Sequence, residues 1–513
     1  MVNVRQSVFF SASTAFYFTH CVGIQGPFQL GFLVFTAPTM LIIPTSIGEH
    51  GRTMWTMGPN KLVFNTVQAL HDIYRNERFT KSHAYLVGSS EPGVYGIFNA
   101  IDKQLHQRKR NLVSRVLNER SMRSFEPIMQ HQVNILVQQL RRSCDGSQPR
   151  PVNMTERLKY LAMDIMGQLA FSFPLKLQTE TTHRSVVASK AHFYLNLGMQ
   201  LPFLGTLSLV RLPFLRSQFR GGSYFKSLET MLRSRIAGRD NKQDLLYLTD
   251  RLSVSEDDEV LLREMESEAV FFLSAGSDTI STTLCAVFFY LSRNPECYRK
   301  LTHEIHSTFN SESDIRNGPQ LTNCHYMRAC IDEALRMSPP LPGTLWREEA
   351  FEYRNAAEPF MVDGHIVPRG TQIGVNAYAM HHNEEYFPDS FTYKPERWLP
   401  DSPEAARNNR NAFAAFSTGS RGCVGKAMAY LEASLVVAKT LWYFDFEQAS
   451  DTAETVGGPT PWERENGERG TEEFELRDMF VADHDGPHLV FRPRQTNIGG
   501  DFGANRDEKT SSL

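Results

Sequence analysis

From residue 51 onward, apolar positions recur at helical spacing over most of the chain. The pattern predicts helices over residues 103–122, 126–142, 154–170, 257–291, 296–309, 324–337 and 426–443, with shorter strand-like pieces between them. Breaker-rich stretches at 143–152, 238–243, 310–320 and 401–411 separate these segments. A Gly-, Pro- and charge-rich run at 451–473 reads as a surface loop, and residues 495–513 carry too few apolar groups to predict more than a disordered tail. No repeat emerges, and no linker divides regions of contrasting composition. Residues 51–494 therefore read as one large domain, mainly α with a minor β component.

The first 50 residues differ. Between Gln6 and Ile47 there is no Lys, Arg, Asp or Glu. Two apolar runs, 8–24 and 28–43, are parted by Gln25-Gly26-Pro27, and Pro38 interrupts the second. A membrane-spanning helix needs about 20 apolar residues, so each run is marginal. Segment 1–50 is expected to be a membrane anchor; the alternatives are a cleaved signal peptide or a misassigned start of the reading frame.

Net charge is −3, so no overall basic field favours nucleic acid. Cys21, Cys144, Cys285, Cys297, Cys324, Cys330 and Cys423 are odd in number and form no CxxC pair, which argues against a disulfide framework and a structural zinc site. Thiols so spaced fit a reducing compartment.

Cys423 stands apart. It lies in Phe416-Ser417-Thr418-Gly419-Ser420-Arg421-Gly422-Cys423-Val424-Gly425, immediately before a predicted helix. The glycines at 419, 422 and 425 permit positive φ and clear side chains from the approach to the sulfur. The helix N-terminus favours a thiolate over a thiol, and Arg421 adds a cation. A cysteine beside glycines is more often merely structural. Here an aromatic, three glycines and an arginine stand at fixed offsets, and the run resembles the signature of the cytochrome P450 family at every defining position.

That resemblance implies the P450 fold, with haem b held between a long distal helix and the cysteine loop, and Cys423 as the axial ligand to the iron. It covers about residues 51–494 and assigns roles to other positions. Glu333 and Arg336, one helical turn apart, match a buried pair completed by Arg397 of Lys394-Pro395-Glu396-Arg397-Trp398, a structural clamp behind the loop. Ala275-Gly276-Ser277-Asp278-Thr279 matches the distal helix. There the small pair would let substrate and dioxygen approach, and Asp278 and Thr279 would pass protons, although a helical Thr more often only back-bonds. His106, Arg110, Arg347 and Arg421 are expected to meet the haem carboxylates, with Phe416 and Gly425 shaping the loop. Arg108 and Lys109 read as solvated, or as part of a docking face for a redox partner.

The wording of Gly96-Ile97-Phe98-Asn99-Ala100 and of His381-His382-Asn383-Glu384-Glu385-Tyr386-Phe387-Pro388 resembles filamentous-fungal members devoted to secondary metabolism. One departure is the scant room for a Pro-rich hinge and a further helix ahead of Gly58-Pro59-Asn60. The implied activity is insertion of one oxygen atom from O2 into a lipophilic small molecule. The implied partners are NADPH–cytochrome P450 reductase and cytochrome b5, at the cytosolic face of the endoplasmic reticulum membrane. The rival readings are a haem-thiolate isomerase or dehydratase that needs no external electrons, and a non-catalytic haem-binding protein. An apolar region at 191–219 is expected to form a lid over the pocket.

Overall fold

A computed structural model describes residues 54–494 except 59, 90–92, 147–148, 188–194, 197, 200–222, 238–257, 354–355, 357, 401, 403–408 and 450–472. The expected anchor, the tail, the 238–243 breaker, nearly all of the 451–473 loop and most of the expected lid lie outside the described residues.

The principal helices are α1 (Val67–Tyr74), α2 (Lys103–Val116), α3 (Glu119–Ser143), α4 (Met154–Phe171), α5 (Ser223–Ala237), α6 (Asp258–Arg293), α7 (Pro295–Thr308), α8 (His325–Met337) and α9 (Lys426–Tyr443). The periodicity located α4, α6, α7, α8 and α9 within two residues and did not anticipate α1 or α5. It misplaced the break between α2 and α3. Asn118 caps α3 by accepting from the Ser121 N–H at 3.0 Å, so α2 ends at Val116 and α3 begins at Glu119, both earlier than expected. Met122, Phe125 and Met129 then form one continuous buried stripe across the expected gap, with Pro127 inside the helix.

The 36-residue α6 runs through the main core, packed against α4, α5, α8 and α9. Its stretch Met265–Arg293 is long and apolar enough to cross a membrane, but 61% of its most apolar window is buried inside the protein. Its hydrophobicity therefore serves the core.

A second apolar cluster joins α1 to the largest sheet. That sheet has the order Met54–Gly58, Lys61–Phe64, Gln372–Val375, Arg347–Glu349, Phe79–Lys81. Its last two strands are antiparallel and put Lys81 directly opposite Arg347. Val152–Asn153, His488–Pro493 and Phe444–Gln448 form a smaller sheet below α9.

Candidate active site

The cysteine loop is anchored on both flanks. The Cys423 N–H donates to the Phe416 carbonyl at 2.8 Å, closing the loop on itself. Phe416 is half-buried, with its ring 5.1 Å from that of Tyr430. Gly419 has φ +75°, and a Cβ there would lie 1.8 Å from the Tyr74 carbonyl oxygen at the end of α1. Glycine is obligatory at that position. Gly422 and Gly425, expected to use the same freedom, have φ −62° and −85°, whereas Ser417 takes φ 54°. Gly425 instead keeps the space beside the sulfur open: its Cβ would sit 4.0 Å from Cys423 Sγ.

Cys423 is exposed, yet the protein packed around it pushes its thiol above the ordinary value. The two observations agree if the sulfur faces a hollow within the fold. The Gly425 and Lys426 N–H groups and the charges of Arg110 and Lys426 oppose the burial effect without overcoming it. The helix start was expected to favour a thiolate. Here it only offsets the cost of enclosure.

Two arginines stitch this loop to α2. The Arg421 guanidinium donates to the carbonyls of Ala100 at 2.7 Å and Ile101 at 2.9 Å and to the Thr80 hydroxyl at 3.0 Å, just ahead of α2. Arg110 on α2 reaches back to the Gly422 carbonyl. Arg347 is buried and bonds the Leu345 and Trp346 carbonyls. Lys81, which the sequence did not single out, bonds the Ile97 and Phe98 carbonyls. Burial first, then its neighbours Arg421 and Arg347, holds Lys81 well below the usual ammonium range. Burial and Arg347 lower Arg421 to about 10.

His106 is buried beside these cations, and burial with the Arg421 and Lys81 charges depresses it to about 3. It is a neutral imidazole, so it offers a hydrogen bond where a cation was expected. Lys109 also differs from expectation. It is buried, and its Nζ pairs with Glu268 of α6 at 2.7 Å, while Arg108 is exposed. Glu268 also accepts the Ile97 N–H at 3.0 Å. A docking role for Lys109 is therefore ruled out by its burial; it ties α2 to α6.

Along α6 the hydroxyls turn inward on the helix. Thr279 Oγ1 donates to the Ala275 carbonyl at 2.6 Å, and Thr282 and Thr283 likewise bond the carbonyls of Asp278 and Thr279. Back-bonding of this kind bends a helix and spends the hydroxyl proton, leaving the oxygen as an acceptor. Asp278 and Thr279 are both half-buried. Gly276 also serves packing: a Cβ there would come within 2.4 Å of Met166 Sδ on α4.

Behind the loop, Glu333, Arg336 and Arg397 come together fully buried. Arg336 forms a two-pronged pair with Glu333, both contacts 2.9 Å, and Arg397 Nε donates to the same carboxylate at 3.0 Å. The Trp398 indole N–H and the Lys394 N–H complete the set at 2.8 and 3.0 Å. Five donors hold that carboxylate below its ordinary range against the opposing effect of burial. Arg336 passes the order on to the carbonyls of His381 at 2.9 Å and Ser390 at 2.6 Å. The sequence reading missed Trp398 and His381 as parts of this unit, although both stand in quoted runs.

The family model for cytochrome P450 matches residues 50–458. The chain belongs to the cytochrome P450 family. A cytochrome P450 monooxygenase, poxM, of Penicillium oxalicum is 32% identical over 460 residues, covering 86% of this chain and 83% of the relative. Another, apf7, of Gibberella fujikuroi is 30% identical over 465 residues, 85% of each chain. A third, of Gibberella zeae, is 32% identical over 435 residues, covering 83% of this chain and 98% of its own. The enzyme class of this P450 is accordingly monooxygenase.

The site's chemistry fits the family's prosthetic group. Among the described residues no group of three His, Cys, Asp or Glu side chains could hold a bare metal ion. Among the described residues Cys423 is the one exposed cysteine, and it lies beside a concentration of Arg110, Arg347, Arg421 and Lys81 whose hydrogen bonds run largely to carbonyl oxygens. A macrocycle that brings its own iron and two carboxylates suits that combination of soft donor and positive charge.

Proposed function

We propose that this P450 inserts one oxygen atom of O2 into a lipophilic small molecule, by hydroxylation or epoxidation, in fungal secondary metabolism. The accessible Cys423 sulfur at the start of α9, flanked by buried cations, carries this reading. Haem b bound through that thiolate supplies the oxygen-activating chemistry, which strong electron donation by sulfur favours. Arg110, Arg347 and Arg421 neutralise the haem carboxylates, with His106 as a neutral donor and Lys81 as a further cation.

Asp278 and Thr279 move protons on the distal side. Because the Thr279 hydrogen is committed to Ala275, its oxygen acts as the acceptor that holds a proton-bearing group, and Asp278 supplies the proton. Glu333, Arg336 and Arg397 fix the loop without touching the chemistry. Phe98 lies 5.3 Å from the ring of Phe271 on α6 and 5.4 Å from that of Phe480, an aromatic wall suited to an apolar substrate.

Electrons come from NADPH–cytochrome P450 reductase, with cytochrome b5 as an accessory donor. The uncharged stretch 6–47 supports attachment to the endoplasmic reticulum membrane, with the catalytic domain 51–494 on its cytosolic face.

The test is spectral. Reduced protein under carbon monoxide should give the red-shifted Soret band of thiolate ligation, and Cys423→Ala should lose it. A folded wild-type protein that takes up no haem overturns the reading. Product formed without reductant would point instead to an isomerase or dehydratase.

A further inference from the structure

We propose that Asp478 is the polar anchor of the substrate pocket, and that the substrate is a lipophilic molecule carrying a protonated amine. This inference rests on the monooxygenase reading and narrows its substrate class.

Asp478 lines a small hollow with Asn196, Leu341, Thr344, Trp346 and Phe480. Phe480 belongs to the aromatic wall that continues through Phe98 to Phe271, one helical turn before Ala275 on α6. Phe480 thus joins the hollow to the wall that leads toward the proposed proton-transfer residues.

Asp478 is buried, with only 9% of the residue exposed, and its two carboxyl oxygens differ. Oδ1 accepts the Phe480 N–H at 3.0 Å, which helps fix Phe480 at φ 77°. The Asp478 carbonyl is held separately by the Asn196 side chain at 2.9 Å. Oδ2 has no hydrogen-bond donor among the described residues and is turned toward Gly343, where a Cβ would lie 2.6 Å from it. Glycine at 343 is what makes room for the carboxyl. Burial pushes the group up, and the Phe480 N–H alone opposes that shift. Among the described residues no lysine or arginine pairs with it. A buried acid lacking a cationic partner is costly to ionise, and a ligand that brings a cation would relieve that cost. The surrounding Leu, Trp and Phe surfaces require that this cation ride on an apolar body.

The test is calorimetric titration of the haem-loaded protein with N,N-dimethyldodecylamine, dodecanol and dodecyl methyl ether. The wild type should bind the amine at least about tenfold more tightly than the ether, the gain expected of one charge-assisted hydrogen bond. Asp478→Asn should abolish that preference while leaving ether affinity within about twofold, the range left to neutral contacts. Gly343→Ala, which displaces the carboxyl without removing it, should do the same and guards against misfolding of the first variant. Failure of the wild type to prefer the amine, or equal losses for all probes in the variants, overturns the proposal. So does an Asp478-dependent preference for the alcohol alone. A missing carbon monoxide band in the wild type would sink the monooxygenase reading instead, so the two failures are told apart.

Discussion

His381 Nε2 accepts the backbone N–H of Ala414 at 2.9 Å, while Nδ1 of the same ring donates to the Arg336 carbonyl at 3.0 Å. The imidazole therefore bridges the Glu333–Arg336 clamp on α8 to the strand of chain that leads into the cysteine loop. Only the neutral ring can do this, since Ala414 needs an acceptor and Arg336 needs a donor.

Acid stability follows from that geometry. Burial, then His382 and Arg336, depress His381 to about 3 against an ordinary 6.5. His106 and His484 are likewise held near 3, chiefly by burial. The unfolded chain takes up these protons below about pH 6.5 and the native state does not. Stability is thus fully present above pH 6.5 and falls as pH drops toward 3, with each histidine contributing a slope of about 1.4 kcal/mol per unit. Urea unfolding between pH 7 and 4 should show this trend. His381→Gln should flatten the slope by one histidine's share; an unchanged slope would reject the neutral bridge.

The Glu333 site makes a prediction about Trp398. Its indole N–H is one of five donors to a fully buried carboxylate. Trp398→Phe should cost about 2–3 kcal/mol, typical of a lost hydrogen bond to a buried charge plus some packing. Glu333→Gln should cost more, because it leaves both Arg336 and Arg397 buried without a counter-charge. Chemical denaturation of the two variants gives the ranking directly. Equal or reversed costs would contradict it.

Much of this was legible beforehand because α-helices announce themselves by periodicity and the cysteine loop by its spacing. α9 matched its predicted bounds from Lys426 to Tyr443. Glu333, Arg336 and Arg397 could be grouped because the family resemblance linked distant segments. What stayed hidden depends on three-dimensional neighbours. Lys109 looks solvated in a run of Arg108-Lys109-Arg110, and only the packing of α2 on α6 brings Glu268 to it. Lys81 carries no local signal; strand pairing with Arg347 places it among the cations. Asp478 likewise acquires meaning only when Gly343, far away in sequence, leaves it space.

The Lys109–Glu268 pair should behave as a buried ion pair. Removing one partner, as in Lys109→Met, strands a carboxylate and should cost about 3–5 kcal/mol. The double variant Lys109→Met with Glu268→Gln should recover part of that loss, because no bare charge remains. A double-mutant cycle in urea measures the coupling. Additive costs would mean that the contact at 2.7 Å carries no net interaction.

Gly419 is the most demanding position in the loop. A methyl group there would overlap the Tyr74 carbonyl and oppose φ +75° at once. Gly419→Ala must therefore push the loop off the end of α1, where Arg75 Nε already holds Thr418 Oγ1 at 3.0 Å. The expected result is loss of most haem uptake with helical content intact, read from the carbon monoxide band and far-ultraviolet dichroism. Gly422→Ala is the milder comparison, because its φ of −62° suits any residue and its Cβ would crowd the Gly419 carbonyl oxygen only at 3.3 Å, against 1.8 Å to Tyr74 at position 419. Its haem content should stay near that of the wild type, and parallel loss in both variants would show that the loop depends on small residues generally and not on the contact with Tyr74.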